Sequence, residues 1–335
     1  TGGSMGVIGD KIYLVGGWKN QTPNRWVTVN TVMEYDPGPD SWKQMKAAPV
    51  KMGSAISCVK DSLFYLFGGL EQSSEDGGYI TRTSQAWTYD PVREIWDSTS
   101  LPPMPFPHVM HGSAEVVDGS IYVLSGVGPG PDFEIQPSEK FDGETWEPIA
   151  DMPVPVVLFS SIVHDHKILV FGGDSAWTPA RSFSTNLIQE YDPASDSWRL
   201  MEPMPFQRAG MAGEKVGDYL YLIGGYTHDR EPSTAVSEVW SYHLDSLKEW
   251  VVPCSGILIN MDSLKLQVES SYTLTSSVQP GYVADSTVVW SSDNESVASV
   301  SSEGMVTGNA PGAATITAKA HAGGCLASCQ VVVLP

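Results

Sequence analysis

Arginines set beside aromatic rings, two short histidine pairs and two matched glutamates are the residues of this chain best equipped for chemistry. Trp18, Arg25 and Trp26 lie close together, as do Tyr79 and Arg82, then Trp177, Arg181 and Phe183, then Tyr226, His228 and Arg230. Between these groups fall Phe106, His108 and His111, then Phe159, then Phe206 and Arg208. With only 19 lysines and arginines against 39 acids, arginine recurring beside an aromatic is a pattern. Aromatic faces stack on sugar rings and guanidiniums grip carboxylates with paired bonds, so the combination predicts a face that binds a glycan or a protein. The competing reading is packing, with the loops lying on one another and the arginines paired with the abundant acids. His108-x-x-His111 and His164-x-His166 carry metal-ligand types, but neither pair comes with a third convergent ligand, and no metal or cofactor is expected. Glu115 and Glu214 occupy matching places in the sequence. They serve as acid or base if they face an open channel, and are paired structural carboxylates if they face a neighbouring sheet. No P-loop, dinucleotide fingerprint or Ser-His-Asp order appears, so no catalytic residue is assigned.

What must hold these residues is a repeat. Five apolar strands end in a glycine pair or its near-equivalent: Tyr13 to Gly17, Tyr65 to Gly69, Tyr122 to Gly126, Leu169 to Gly173 and Tyr221 to Gly225. The tryptophans that follow, Trp42, Trp96, Trp146, Trp198 and Trp250, are spaced by 54, 50, 52 and 52 residues. A period near fifty predicts a β-propeller blade, because one four-stranded sheet cannot bury both faces alone and must stack on neighbours. In the first repeat, strand a spans 4–9, b 11–15, c 31–35 and d 41–45. Aromatic-Asp turns join c to d, as in Tyr35-Asp36-Pro37, Tyr89-Asp90-Pro91, Phe141-Asp142-Gly143 and Tyr191-Asp192-Pro193. Asp bonds its own turn and Pro presets φ, so this is turn chemistry. The glycines suit a sharp turn where backbones approach closely, and the Tyr and Trp suit the wedge between blades. Antiparallel strands send the b–c loops and the d–a segments to one face. The arginine and aromatic groups all lie in those two kinds of segment.

Strand, Gly-Gly, aromatic-Asp-Pro turn and Trp, in this order and spacing over residues 1–252, resemble the kelch repeat. The resemblance implies an all-β, kelch-type β-propeller with five visible four-stranded blades. Either five blades close without strand exchange, or an upstream blade is absent. It also implies two function classes: a binding or adhesion module, and a carbohydrate-active enzyme of the N-acetylneuraminate epimerase or, less readily, the galactose oxidase type. The copper chemistry of the latter needs a cysteine bonded to a tyrosine, and Cys58 is the only cysteine before the junction.

Composition shifts near Val252. Residues 253–335 hold two basic residues, Lys265 and Lys319, against six acidic ones, with alternating strand patterns such as Leu264-Lys265-Leu266-Gln267-Val268 and Ala314-Thr315-Ile316-Thr317-Ala318. These predict an immunoglobulin-like β-sandwich. The stretch from Val289 to Val300, with Gly304-Met305-Val306-Thr307-Gly308 and Gly312 to Ile316, resembles the bacterial immunoglobulin-like group 2 domain. That resemblance implies a bacterial or phage surface protein in which the module is a spacer, with Trp290 in the sandwich core and Asp293 in a loop.

The net charge of −20 repels nucleic acid and anionic lipid, so neither is an expected partner. No apolar run reaches membrane-spanning length. The chain opens on neither a Met nor a charged-then-apolar leader, so on this reading any signal peptide has been removed or lies upstream. An extracellular or cell-surface location is the expectation. Cys58 reads as a buried apolar residue. Cys325 and Cys329 stand about 13 Å apart along one strand, too far to bond each other, and Cys254 is within reach of one of them.

Overall fold

Each apolar run before a glycine pair forms the second strand of an antiparallel sheet, because its alternate residues fill the space on two opposite sides. The computed structural model describes all residues except 1, 23–24, 73–79, 109–110, 129–133, 179–180, 228–233, 251–253, 281–285 and 322–323. The chain divides into two compact bodies, Thr1–Glu249 and Trp250–Pro335.

In the first body, four sheets have the order a-b-c-d. Blade 1 is Ser4–Ile8, Lys11–Val15, Val32–Asp36 and Ser41–Gln44; blade 2 is Ile56–Lys60, Leu63–Phe67, Ala86–Asp90 and Ile95–Asp97. Blade 3 is Ser113–Val117, Ser120–Leu124, Glu139–Phe141 and Trp146–Pro148; blade 4 is Ser160–His164, Lys167–Phe171, Ile188–Asp192 and Ser197–Met201. Blade 5 departs from the expected four strands. Among the described residues it has three, Ala212–Val216, Tyr219–Ile223 and Val239–His243, followed by a 3-10 turn at Leu244–Ser246. The segment before Trp250 bridges the outer strand of blade 4 instead, Met201 to Glu249, so Trp250 does not sit in a d strand as its four counterparts do.

Successive a strands lie side by side from blade 1 through blade 5, which puts them at the centre and the d strands outside. Blades stack in one sense. Residues 1, 3 and 5 of strand b face forward to the next blade, and residues 2 and 4 face back to the previous one. Thus Tyr13 and Val15 meet Phe64 and Leu66, Tyr65 and Phe67 meet Ile121 and Val123, Tyr122 and Leu124 meet Ile168 and Val170, and Leu169 and Phe171 meet Leu220 and Leu222. These are the dry interiors of the propeller body, and burial of apolar area there is the main source of its stability.

The signature residues do what their chemistry suggests. The Tyr of the aromatic-Asp turn packs backward, with Tyr89 and Tyr191 fully buried. Each following Trp reaches a carbonyl of the preceding blade's outer edge: Trp96 Nε1 donates to Lys46 O (3.4 Å), Trp146 to Pro102 O (3.0 Å) and Trp198 to Ala150 O (2.8 Å). The turn Asp residues accept backbone N–H bonds, Asp36 from Gly38, Asp90 from Val92 and Arg93, Asp142 from Glu144 and Thr145, and Asp192 from Ala194. At the end of strand b both glycines take positive φ, as at Gly68 (60°) and Gly69 (94°). A Cβ on Gly68 would collide with the His108 carbonyl oxygen. Ser125 takes the same left-handed backbone in blade 3 (φ 52°) and its hydroxyl donates to Val156 O at 2.6 Å, so the close approach becomes a hydrogen bond.

The second body is all β. Ser263–Gln267, Leu326–Leu334, Gly312–Ala320 and Val288–Ser292 form one sheet, the first pair parallel; Ser271–Thr273, Met305–Gly308 and Ala298–Val300 form another. Leu264, Leu274, Val306, Ile316 and Val331 fill the core with Trp290 packed against them, and Asp293 accepts the Thr315 N–H from a turn. Cys254 is bonded to Cys325, with Cα atoms 6.0 Å apart, while Cys58 and Cys329 are buried thiols. Burial raises both free thiols above the usual cysteine range.

Candidate functional site

The segment after each glycine pair folds into a hairpin, because the paired positive-φ residues turn the chain out of the sheet before it returns to strand c. The hairpins are Trp18–Thr22 with Arg25–Thr28, Leu70–Gln72 with Ile80–Arg82, Asp174–Thr178 with Arg181–Ser184, and Tyr226–Thr227 with Thr234–Ala235. Blade 3 has a single bridge there, Val127 to Ile135. The d–a segments join them: Met52–Gly53 pairs with Leu70 and Glu71, Val156–Val157 with Asp174 and Ser175, and Ala209 with Tyr226. Gln72 of the second hairpin accepts the Thr28 N–H of the first at 2.9 Å. The expected loop-rich face is therefore a connected layer of hairpins anchored on the blades.

The layer divides the predicted residues into two groups. Trp26 (51% exposed) and Phe183 (54% exposed) stand out from their hairpins. Trp26 lies opposite Asn20 in the register, and Phe183 opposite Ser175. Trp18 is half-buried, its indole N–H donating to Ser54 Oγ at 3.0 Å. Arg25, Arg82 and Arg181 occupy the first or last residue of a hairpin strand, opposite Thr22, Leu70 and Thr178, and Trp177 is in the strand before Arg181. Tyr79, His228 and Arg230 lie outside the described residues.

His108 and Arg208 are a correction. Both were expected on the ligand face, and both are buried. They hold matching places in their d–a segments, and their neighbours use their donors. His108 presents Nδ1 to Ser125 O and Nε2 to Glu139 Oε2 at 3.0 Å. Arg208 Nη1 donates to Gly224 O at 3.1 Å and Nη2 to Glu238 Oε2 at 3.0 Å, with its guanidinium 5.0 Å from the Phe206 ring. The arginine in turn holds the Glu238 carboxyl below the usual range. The equivalent positions in the sister segments are Met52 and Val156, both buried. His111 is partly buried, which lowers its imidazole to about 4. It carries an unusual backbone (φ 68°) and accepts the Leu158 N–H.

On the opposite side, His166 is exposed and contacts Asp118 (2.6 Å), and His164 faces Lys215 Nζ at 3.1 Å. Among the described residues, no three His, Cys, Asp or Glu side chains converge as a metal site.

A cavity of about 450 Å³ opens at the central strands, lined by Glu115, Ser161, Val163, Glu214 and Lys215. Ser161 Oγ donates to Glu115 Oε1 at 2.5 Å. Desolvation pushes the Glu115 carboxyl up to about 7, opposed by the Ser161 hydrogen bond and reinforced by the Glu214 charge. Glu115 thus bonds the adjacent blade through Ser161, while both glutamates line the cavity.

Several polar residues that organise the hairpin layer carry no motif. Asp174, fully buried, accepts Ser184 Oγ at 2.9 Å and Tyr226 Oη at 3.4 Å. Glu139 and Glu238 receive His108 and Arg208. The available signal was positional: Asp174 follows the glycine pair where its sisters are Trp18, Leu70 and Tyr226. An acid at an apolar place in a repeat marks a buried partner.

Comparison with known proteins adds three family matches. The attractin/LZTR1 β-propeller model matches residues 52–278, the kelch motif model residues 1–47, and the bacterial Ig-like domain (group 2) model residues 255–331. Among curated relatives, kelch-like protein terF of Aspergillus terreus is 26% identical over 70% of this chain and 52% of its own length. Kelch-like protein 38 of Homo sapiens is 25% identical over 65% of this chain and 35% of its own. The chain thus spans about half or less of the length of these relatives. The solved structure titled "Structure of YjhT" superposes with a TM-score of 0.61 at 14% identity, over 74% of this chain and 83% of that one. At that identity the likeness is one of fold.

Proposed function

The chain belongs to the attractin/LZTR1 β-propeller family of kelch proteins and carries a bacterial group 2 Ig-like domain, and from that premise we propose that it is a surface-displayed binding or adhesion protein. Kelch propellers serve in protein interaction, and some are enzymes. In this reading the hairpin layer recognises a glycan or protein ligand, and the Ig-like domain spaces it from the envelope. The observation that carries the reading is the pair of open aromatic side chains, Trp26 and Phe183, on hairpins whose strands also carry Arg25 and Arg181. Exposed aromatic faces on arginine-bearing hairpins suit a sugar ring with a carboxylate, or an acidic loop of a partner. The disulfide Cys254–Cys325 supports an oxidising, extracytoplasmic location.

The test is titration of the chain against an array of sialylated and neutral surface glycans, followed by calorimetry on each hit. Trp26→Ala and Arg181→Ala each weaken binding by tenfold or more, with thermal unfolding unchanged. Equal binding by both variants and the parent contradicts the assignment.

One observation favours a second reading, acid–base chemistry on a sugar. Glu115, raised to about 7, lines a cavity large enough for a monosaccharide, and a carboxyl with that pKa gives and takes protons near neutrality. NMR of N-acetylneuraminate anomers distinguishes the two. Faster anomer exchange with the parent than with Glu115→Gln supports the enzyme, and equal exchange removes it.

A further inference from the structure

We infer that the two end faces of the propeller arc form a seat for one further four-stranded kelch-type sheet. Every blade has a forward face and a back face, and the four internal contacts always place forward on back. Two faces lack a blade. The forward face of blade 5 presents Val216, Tyr219, Tyr221, Ile223 and Val239 to solvent, in register across its three strands. The back face of blade 1 presents Met5, Val7 and Trp42 to solvent, with Ile12, Leu14 and Tyr35 half-buried behind them. The a strands of blades 5 and 1 lack the side-by-side contact that joins every other consecutive pair, so the faces do not cover each other. Apolar patches of this size on a folded body mark an interface.

The chemistry of the faces identifies the occupant. Tyr221 and Ile223 are the counterparts of Tyr122 and Leu124, which pack against the back face of blade 4. Ile12 and Leu14 are the counterparts of Leu220 and Leu222, which pack against its forward face. A sheet of the blade 4 type therefore matches both open faces at once, whereas a second copy of the arc would have to meet them one at a time.

The test gives the seat its occupant. A second copy of residues 157–208 is joined directly to Thr1, so that residues 1–3 take the place of 209–211. Hydrogen exchange of Lys11–Val15 and Tyr219–Ile223 is compared with the unextended chain, with mass in solution measured on both. The expected result is a monomer in which exchange slows at least tenfold in both strands. In the same extended chain, Tyr221→Asp with Ile223→Asp abolishes the gain at Tyr219–Ile223. Unchanged exchange in both strands of a folded extended chain overturns the inference. So does an unextended chain that is dimeric with both strands already protected, since a second copy then covers the faces. A second measurement needs no extension: Tyr221→Ser with Ile223→Ser in the 335-residue chain lowers hydrophobic-dye fluorescence at least twofold and leaves the unfolding midpoint in place. A large drop in that midpoint, without loss of dye binding, also overturns the seat.

Discussion

Blades 4 and 1 carry the same signature and put it to different use. In blade 4, Tyr191 is 1% exposed, its hydroxyl donates to Asp196 at 2.7 Å, and Asp196 also takes the Ala150 N–H of the blade behind. Trp198 donates to Ala150 O. In blade 1, Tyr35 bonds Asp40 in the same way (2.6 Å), but Trp42 is 54% exposed and has no blade behind it. The kelch signature is therefore half of an interface. The local turn forms in both blades, and the energy of the aromatic pair is released only where a second sheet covers it.

The largest test of this difference is truncation of the two tyrosines. Tyr191→Ala removes a fully buried ring and costs about 3–5 kcal/mol in urea unfolding, whereas Tyr35→Ala costs under about 1 kcal/mol. Equal costs would break the comparison.

The next test concerns the d–a segments, where His108 and Glu139 stand at the places held one junction earlier by Met52 and Trp87. Glu139→Ala leaves a buried imidazole without its partner and destabilises by about 3 kcal/mol. Replacing both, as His108→Met with Glu139→Met, makes this junction apolar like that of Met52 and Trp87 and recovers most of that loss, a coupling that a double-mutant cycle measures.

Glycine substitutions sharpen the contrast between the interior and the open turns. Gly172→Ala meets both a left-handed backbone (φ 62°) and the Arg208 carbonyl, so it costs about 2 kcal/mol or more. Gly217→Ala has the same kind of backbone (φ 60°) with nothing near its Cβ, and costs about 1 kcal/mol.

A pH dependence is also expected. Glu115 is raised from an ordinary 4.5 to about 7, so the folded state holds its proton longer than the unfolded chain. Stability from this group is intact below about 4.5, falls as pH rises, and is lost above about 7. Glu115→Gln removes this slope: it stabilises the protein by about 1–2 kcal/mol at pH 8 and changes nothing at pH 4. A variant that tracks the parent across the range shows that the cavity is wetter than its lining implies.

The repeat period, the role of each signature residue and the Ig-like core were all legible, because they follow from local turn chemistry and strand alternation. The hairpins were legible only as long loops, since no periodic pattern announces strands as short as Leu70–Gln72. The misplaced residues share a cause. His108 and Arg208 were read by type, and a charged residue reads as exposed until its partners, Glu139 and Glu238, are brought beside it from 31 and 30 residues away in sequence. The missing fourth strand of blade 5 was hidden because Trp250 keeps the spacing of its sisters while the preceding segment pairs with blade 4.

Hydrogen exchange of the central b strands in the unextended chain tests the account most directly, because Lys167–Phe171 and Tyr219–Ile223 are both paired on two sides and differ in whether a blade covers their forward face. Tyr219–Ile223 exchanges at least tenfold faster than Lys167–Phe171 if forward-on-back stacking is what stabilises each sheet. Equal protection in the two strands of a monomer would contradict it.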